Sequence, residues 1–406
     1  MSNDPVTSLP VALASAVAIQ ALASAAALAL TTVAPMASAD LGVDAHAIGY
    51  QVSLIYLLAT IVSMFGGGVV RKFGPARVSQ MALLAGALGL AGLASGSVIV
   101  AVFASMLIGM GYALTNPAAS DLLDKLAPPG KRNLIFSLKQ TAVPLGGILV
   151  ALVLPSMAVT FGWRWGLLTF AAAGLVSVLL LQAVRARWDR QRDPAYRLHG
   201  TMLEGMRAVW GRPPLRALAT MGFLFSAMQL SLASFAVVML VEEFGWRPIQ
   251  AGAAAAAVQM SGAVGRVFWG WVADRTGWGL GLLGAIGCMT SVSAMLMPLL
   301  PGFAPWLIIT VLCLFSAASI GWNGVMLAEA ARLSPPGQVG PVAGGVLGLT
   351  FLGVVVGPSL FASIYQLYGS YADTYAVLGF LPLLGSLLVW SGRRAERAEM
   401  AHVTSE

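Results

Sequence analysis

The sequence predicts an all-α membrane protein whose twelve transmembrane helices form two pseudo-symmetric six-helix bundles. Three observations carry this. Apolar runs recur along the whole chain, the cations are sorted between alternate loops, and the second half repeats the first. A run of ~20 apolar residues is long enough, as a helix, to cross ~30 Å of hydrocarbon. Apolar residues make up 58% of the chain and charged residues 10%, whereas about a quarter of the residues in a soluble domain are charged.

The spans fall at roughly 10–34, 47–69, 79–96, 98–120, 134–158, 164–184, 216–240, 249–271, 279–299, 304–328, 342–366 and 373–391. No Lys or Arg precedes the first, so it reads as a membrane helix and not as a cleaved signal. Loop 185–215, rich in Arg and broken by Pro194, Pro213 and Pro214, separates six spans from six. The expected organisation is a first bundle at 1–184, a basic linker at 185–215, a second bundle at 216–392 and a tail at 393–406. The even-numbered loops hold Arg71, Lys72, Arg77, Lys125, Lys131, Arg132, the run from Arg185 to Arg216, Arg275 and Arg332. Only Arg164 and Arg247 fall in odd-numbered loops. Cytoplasmic loops carry the excess of Lys and Arg. The even loops and both termini are therefore expected on the cytoplasmic side of a bacterial-type inner membrane. The net charge of +7 is this topology signal and does not argue for nucleic acid.

The repeat is visible residue by residue. Asp40-x-Gly42 and Gly49 match Glu243-x-Gly245 and Gly252 at an offset of 203, as do Gly67, Lys72 and Gly74 with Gly270, Arg275 and Gly277. Further on the offset is 207: Asn116, Lys125, Pro128, Pro129 and Gly130 match Asn323, Arg332, Pro335, Pro336 and Gly337, and Phe161-Gly162 matches Tyr368-Gly369. A duplicated helical unit in a membrane implies transporter architecture. Enzyme chemistry has little to work with. His46, His199 and His402 lie in loops or the tail, Cys288 and Cys313 stand apart within spans, and no metal-ligand spacing is present. No cofactor is expected.

Gly270-x-x-x-Asp274-Arg275-x-Gly277 directly follows the eighth span. Its first Gly would let helices approach closely, Asp and Arg could pair across the cytoplasmic surface, and the last Gly permits a tight turn. Together with the repeat, the long central loop and the helix count, this motif makes the chain resemble the major facilitator superfamily over essentially its whole length. The N-terminal copy, Gly67-x-x-x-Arg71-Lys72-x-Gly74, carries Arg where the family usually has Asp. The resemblance implies that this Asp latches a cytoplasmic gate, so a latch at Arg71 and Lys72 is in question and simple positive-inside anchoring is the other reading. Pro144-x-Gly146-Gly147 and Gly353-x-x-x-Gly357-Pro358 look like the family's fifth-helix packing motif, with a structural role expected.

Two cations, Lys139 and Arg266, lie inside apolar spans. A charge in hydrocarbon is costly and usually functional. By helical rise, their Cα atoms sit roughly 8–10 Å and ~12 Å from the cytoplasmic ends. Lys139 either snorkels to the interface or faces a cavity. No acid stands in mid-span; Asp121, Asp124 and Glu329 are all near cytoplasmic ends. The resemblance implies that the fifth and eighth helices face each other across a central cavity, which makes an anionic substrate the natural counter-ion. Arg266 could grip a carboxylate bidentately while Lys139 supplies a point charge. The eighth span also resembles that of oxalate/formate exchangers and monocarboxylate transporters, where an Arg binds the carboxylate. That carry-over reaches Arg266 only, because those exchangers place their Lys in the eleventh helix, where the repeat-mate of Lys139 is Val346. The Gln140-Thr141-x-x-Pro144 run looks like the cyanate-permease-like branch. Asn116, Asn323 and Gln140 are the neutral candidates for substrate contact, with Gln20, Tyr56, Tyr112, Gln229, Gln259 and Trp322 as possible orienting groups.

The expectation is a secondary transporter moving a small organic anion by alternating access, as a monomer, with exchange, uniport, or a proton carried by the substrate. The alternative is a drug/proton antiporter exporting lipophilic compounds, and the absence of a mid-span acid argues against it.

Overall fold

The computed structural model describes residues 8–126, 135, 138–196, 206, 207, 209–335 and 339–405. The apolar runs become helices because hydrocarbon leaves the backbone no hydrogen-bond partners but its own. In the first half these are α1 (Leu9–Thr32), α2 (Ala34–Leu41), α3 (Ile48–Phe73), α4 (Pro75–Leu93), α5 (Val98–Leu126), α6 (Ala142–Phe161) and α7 (Trp163–Trp188). The second half contributes α8 (Pro213–Val238), α9 (Pro248–Thr276), α10 (Gly279–Met295), α11 (Pro305–Gly321), α12 (Asn323–Leu333), α13 (Val339–Tyr368), α14 (Tyr371–Leu378) and α15 (Phe380–Ser405). Proline opens α4, α8, α9 and α11, where its missing N–H costs nothing.

Among the described residues, eleven helical segments are long and apolar enough to cross a membrane. The segment missing from that set is α9: its 29 residues give about 43 Å of helix, but Gln250, Gln259, Arg266, Asp274 and Arg275 dilute its apolar character. Two expected spans have an interruption of one residue with the backbone still helical there: the tenth passes from α11 to α12 at Trp322 (φ −71°, ψ −22°), and the twelfth from α14 to α15 at Gly379 (φ −56°, ψ −22°). The expected tail is a continuation of α15 as far as Ser405.

The chain forms two compact units, Met1–Gly200 with Arg247–Ala256, and Thr201–Trp246 with Ala257–Glu406. Their internal neighbours repeat. In the first, α1 packs on α6, and α4 packs on α5 and α7; in the second, α8 packs on α13, and α10 packs on α11, α12 and α15. The packing glycines repeat as well. A Cβ on Gly146 would collide with the Ala21 carbonyl of α1, and one on its repeat-mate Gly353 with the Phe223 carbonyl of α8. Gly357 meets Ala227 in the same way. These glycines bring backbones together, as their motif suggested.

The acid of each Asp/Glu-x-Gly pair meets the residues that follow the Phe/Tyr-Gly pair of its own unit. Asp40 accepts from Trp163 Nε1 at 3.0 Å and pairs with Arg164 at 2.5 Å, just after Gly162. Glu243 accepts from Ser370 Oγ at 2.8 Å, Tyr371 N at 2.7 Å and Ala372 N at 3.1 Å, just after Gly369. Both acids anchor the start of the last span of their unit, Asp40 at α7 through side chains and Glu243 at α14 also through free N–H groups, which favour negative charge. Gly162 (φ 90°) and Gly369 (φ 70°) make the turn with a backbone that side chains resist.

Candidate functional site

In the second unit, the interruption at Trp322 ends α11 one residue after Ile320. The Ile320 carbonyl accepts from Arg266 Nε at 3.3 Å and from Asn323 Nδ2 at 3.1 Å. Asn323 Nδ2 also donates to Gln229 Oε1 on α8 at 3.1 Å. One interrupted helix therefore gathers a half-buried guanidinium, an amide and a second amide from three elements. Trp322, a candidate for an aromatic wall, is instead fully buried and donates from Nε1 to the Ser319 carbonyl at 2.8 Å.

In the first unit Lys139 is only 1% exposed, with its amine held against α5. Its Nζ donates to the Asn116 carbonyl at 3.3 Å, to Asn116 Oδ1, and to Ser120 Oγ at 3.2 Å. Asn116 and Ser120 share a face of α5 one turn apart. That helix runs unbroken through Pro117. Nearby, Gln20 on α1 accepts from Thr115 Oγ1 at 2.8 Å, matching the Gln229–Asn323 tie between the first and fourth spans of the other half. Tyr56 and Tyr112 meet edge to face at 5.3 Å.

The structure thus groups Lys139 with Asn116, and Arg266 with Asn323 and Gln229. Gln140 is exposed and lies outside the Lys139 hydrogen-bond set, and Gln259 is half-buried. Ser120, Thr115 and the Ile320 carbonyl were not foreseen. Ser120 is legible from its four-residue spacing after Asn116, but the Ile320 carbonyl is not, since no proline marks the interruption. A separate cavity of about 290 Å³, almost wholly apolar, lies within the first unit near Leu30, Ala37, Leu54, Val98 and Val102.

At the paired loop motifs, a Cβ on Gly67 or Gly270 would meet nothing within 4 Å. Asp274 is exposed and forms no ion pair among the described residues, while Arg275 lies 5.2 Å over the Trp271 ring. The closing glycines do make turns, Gly74 at φ 89° and Gly277 at φ 62°. Gly74 also leaves room for Asp189, whose carboxylate a Cβ there would strike. Asp189 accepts from Ala76 N at 2.8 Å and Arg77 N at 3.1 Å at the start of α4. Burial pushes its carboxyl above the usual 3.8, more than these bonds, Arg185 and Arg192 pull it down.

Membrane-crossing helices in two repeated units, each with a cation beside a repeated Asn, define a multi-pass membrane protein of transporter type. Residues 13–358 match the Major Facilitator Superfamily model, and the chain belongs to that superfamily. An MFS-type transporter of Mycobacterium tuberculosis, itself uncharacterised, is 26% identical over 69% of this chain and 62% of its own length. The chain therefore spans about three fifths of that relative. The benzoate transport protein of Acinetobacter baylyi is 23% identical over 70% of this chain and 66% of its own. Among solved structures, a mutant form of the nucleoside transporter NupG superposes with a TM-score of 0.76 at 14% identity, covering 95% of this chain and 99% of that one. A bacterial homolog of the human lysosomal transporter Spinster gives 0.74 at 14% identity, covering 94% and 96%. Both share the fold.

Proposed function

We propose that this chain is a secondary transporter that moves a small carboxylate across a bacterial inner membrane by alternating access, as a monomer with both termini cytoplasmic. The observation that carries the reading is the placement of Arg266, a guanidinium in a membrane helix, on the carbonyl of an interrupted helix beside Asn323 and Gln229. The Ile320 bond fixes the guanidinium plane, and a carboxylate is the ligand that such a fork meets bidentately. Lys139, held by Asn116 and Ser120, supplies a second positive charge. An anion bound at Arg266 must favour one conformational state over the other if it is to drive the change of state. The name of the Acinetobacter benzoate transport protein fits this substrate class. No mid-span acid is available for a proton, so the reading favours exchange, uniport, or symport with the proton on the substrate. Arg71, Lys72, Asp274 and Arg275 act at the cytoplasmic gate in this account.

The apolar cavity in the first unit favours a second reading, export of lipophilic compounds in exchange for protons. A thermal-shift screen of the purified protein separates the two. The carboxylate reading expects stabilisation by aliphatic or aromatic acids, lost in Arg266→Ala and Lys139→Ala variants that remain folded. Stabilisation by lipophilic cations and by no acid would replace it with the export reading.

A further inference from the structure

Arg71 stands where the resemblance to the superfamily implies an Asp, and its surroundings in the first unit show what it holds. Its guanidinium lies 4.4 Å over the Tyr196 ring and 3.8 Å from Asp193 Oδ2. Its carbonyl accepts from Asp193 N at 2.8 Å. The segment it grips is itself knotted: Arg192 N donates to the Asp189 carbonyl, Tyr196 N to the Asp193 carbonyl, and Ala195 N to Asp193 Oδ1. Four residues before Asp193, Asp189 sits on the first N–H groups of α4. The opening of the connecting segment is therefore pinned on both sides of the α3–α4 turn.

We infer that residues 189–196 form a clasp on the α3–α4 turn, with Arg71 as its centre, and that the reversed charge at this position ties the connecting segment to the first unit. Eight residues of the connecting segment, 189–196, are thereby held on the first unit, while Val209 packs in the core of the second and Arg212 donates to the Leu333 carbonyl there. The clasp links the turn that carries the gating motif to the position of the segment. Neither charge suffices alone, since exposed ion pairs are weak; the clasp rests on the backbone bond, the ring contact and the Asp189 anchor acting together. Nothing here depends on the identity of the substrate.

Trypsin provides the test, because proteolysis needs local opening of the backbone it cuts. The readout is cleavage after Arg190 and Arg192 relative to cleavage after Arg207 in the same full-length, detergent-solubilised molecule. Wild type is expected to resist at the first two bonds. Arg71→Asp, which repels Asp193 and loses the ring contact, is expected to raise the relative cleavage several-fold. The double variant Arg71→Asp/Asp193→Arg restores opposite charges, and an arginine placed before Pro194 adds no trypsin site, so the ratio should return toward wild type. If Arg71→Asp does not fold, Asp193→Asn and Tyr196→Leu each remove one contact and should raise the ratio. An unchanged ratio in the variants that fold, or a double variant as labile as the single one, overturns the clasp.

Discussion

Arg266 and Lys139 solve the problem of a charge among apolar helices in different ways. Arg266 leans on a carbonyl at the interruption between α11 and α12, whereas Lys139 is enclosed by the side chain and backbone of α5. The difference suits their chemistry, because a guanidinium keeps a planar edge for a partner and an ammonium is a compact point charge. Arg266→Lys is therefore expected to weaken a stabilising carboxylate about tenfold or more, by loss of the bidentate geometry. Titrating the thermal shift against acid concentration in both proteins checks this. Asp189 makes a separate prediction. Its folded pKa lies above its unfolded value of about 3.8, so the folded state holds the proton more tightly within that window. Stability from this group then falls as pH rises from 3.8 through the folded value. Melting temperature measured across acid pH should show that slope in wild type and lose it in Asp189→Asn.

Individual helices show which sequence signals survive contact with tertiary structure. The fifth-helix glycines are packing devices, and a bulky residue at Gly353 must push α13 off α8. Gly353→Leu should cost about 1–3 kcal/mol through overpacking. Gly270→Ala, facing open space within a helix, should be neutral or stabilising by about 0.4–1 kcal/mol. Unfolding of the two variants side by side in detergent tests the contrast. The same comparison separates the two glycine motifs. Spacing shows that a small residue recurs, but only the neighbouring backbone shows whether anything approaches it. Helix interruptions were equally hidden. Nothing in Gly321-Trp322-Asn323 marks one as Pro does, so the Ile320 carbonyl could not be placed beforehand.

At the scale of the molecule, the duplicated plan was legible because hydrocarbon restricts a chain to long apolar helices and the repeat left its glycines, acids and asparagines in register. Asp40 and Glu243 illustrate this, since the repeat marks them as equivalent and each anchors the start of the last span of its own unit. Glu243→Ala removes a charged acceptor from three donors and should lower the stability of the second unit by about 1.5–3 kcal/mol or more. Asp40→Ala, whose Arg164 pair is partly exposed, should cost the first unit less; thermal unfolding of both variants ranks them. What the sequence left open is which partners surround Lys139 and Arg266, because contacts between distant helices are set by packing and leave no local signature.

The central claim is that Arg266 carries an organic anion through the membrane. The most direct test is counterflow of a labelled carboxylate, chosen as the most stabilising acid, in proteoliposomes of wild type and Arg266→Ala. The account predicts transient accumulation in wild type and none above empty liposomes in the variant, with both proteins equally inserted. Accumulation by Arg266→Ala at the wild-type rate would contradict it.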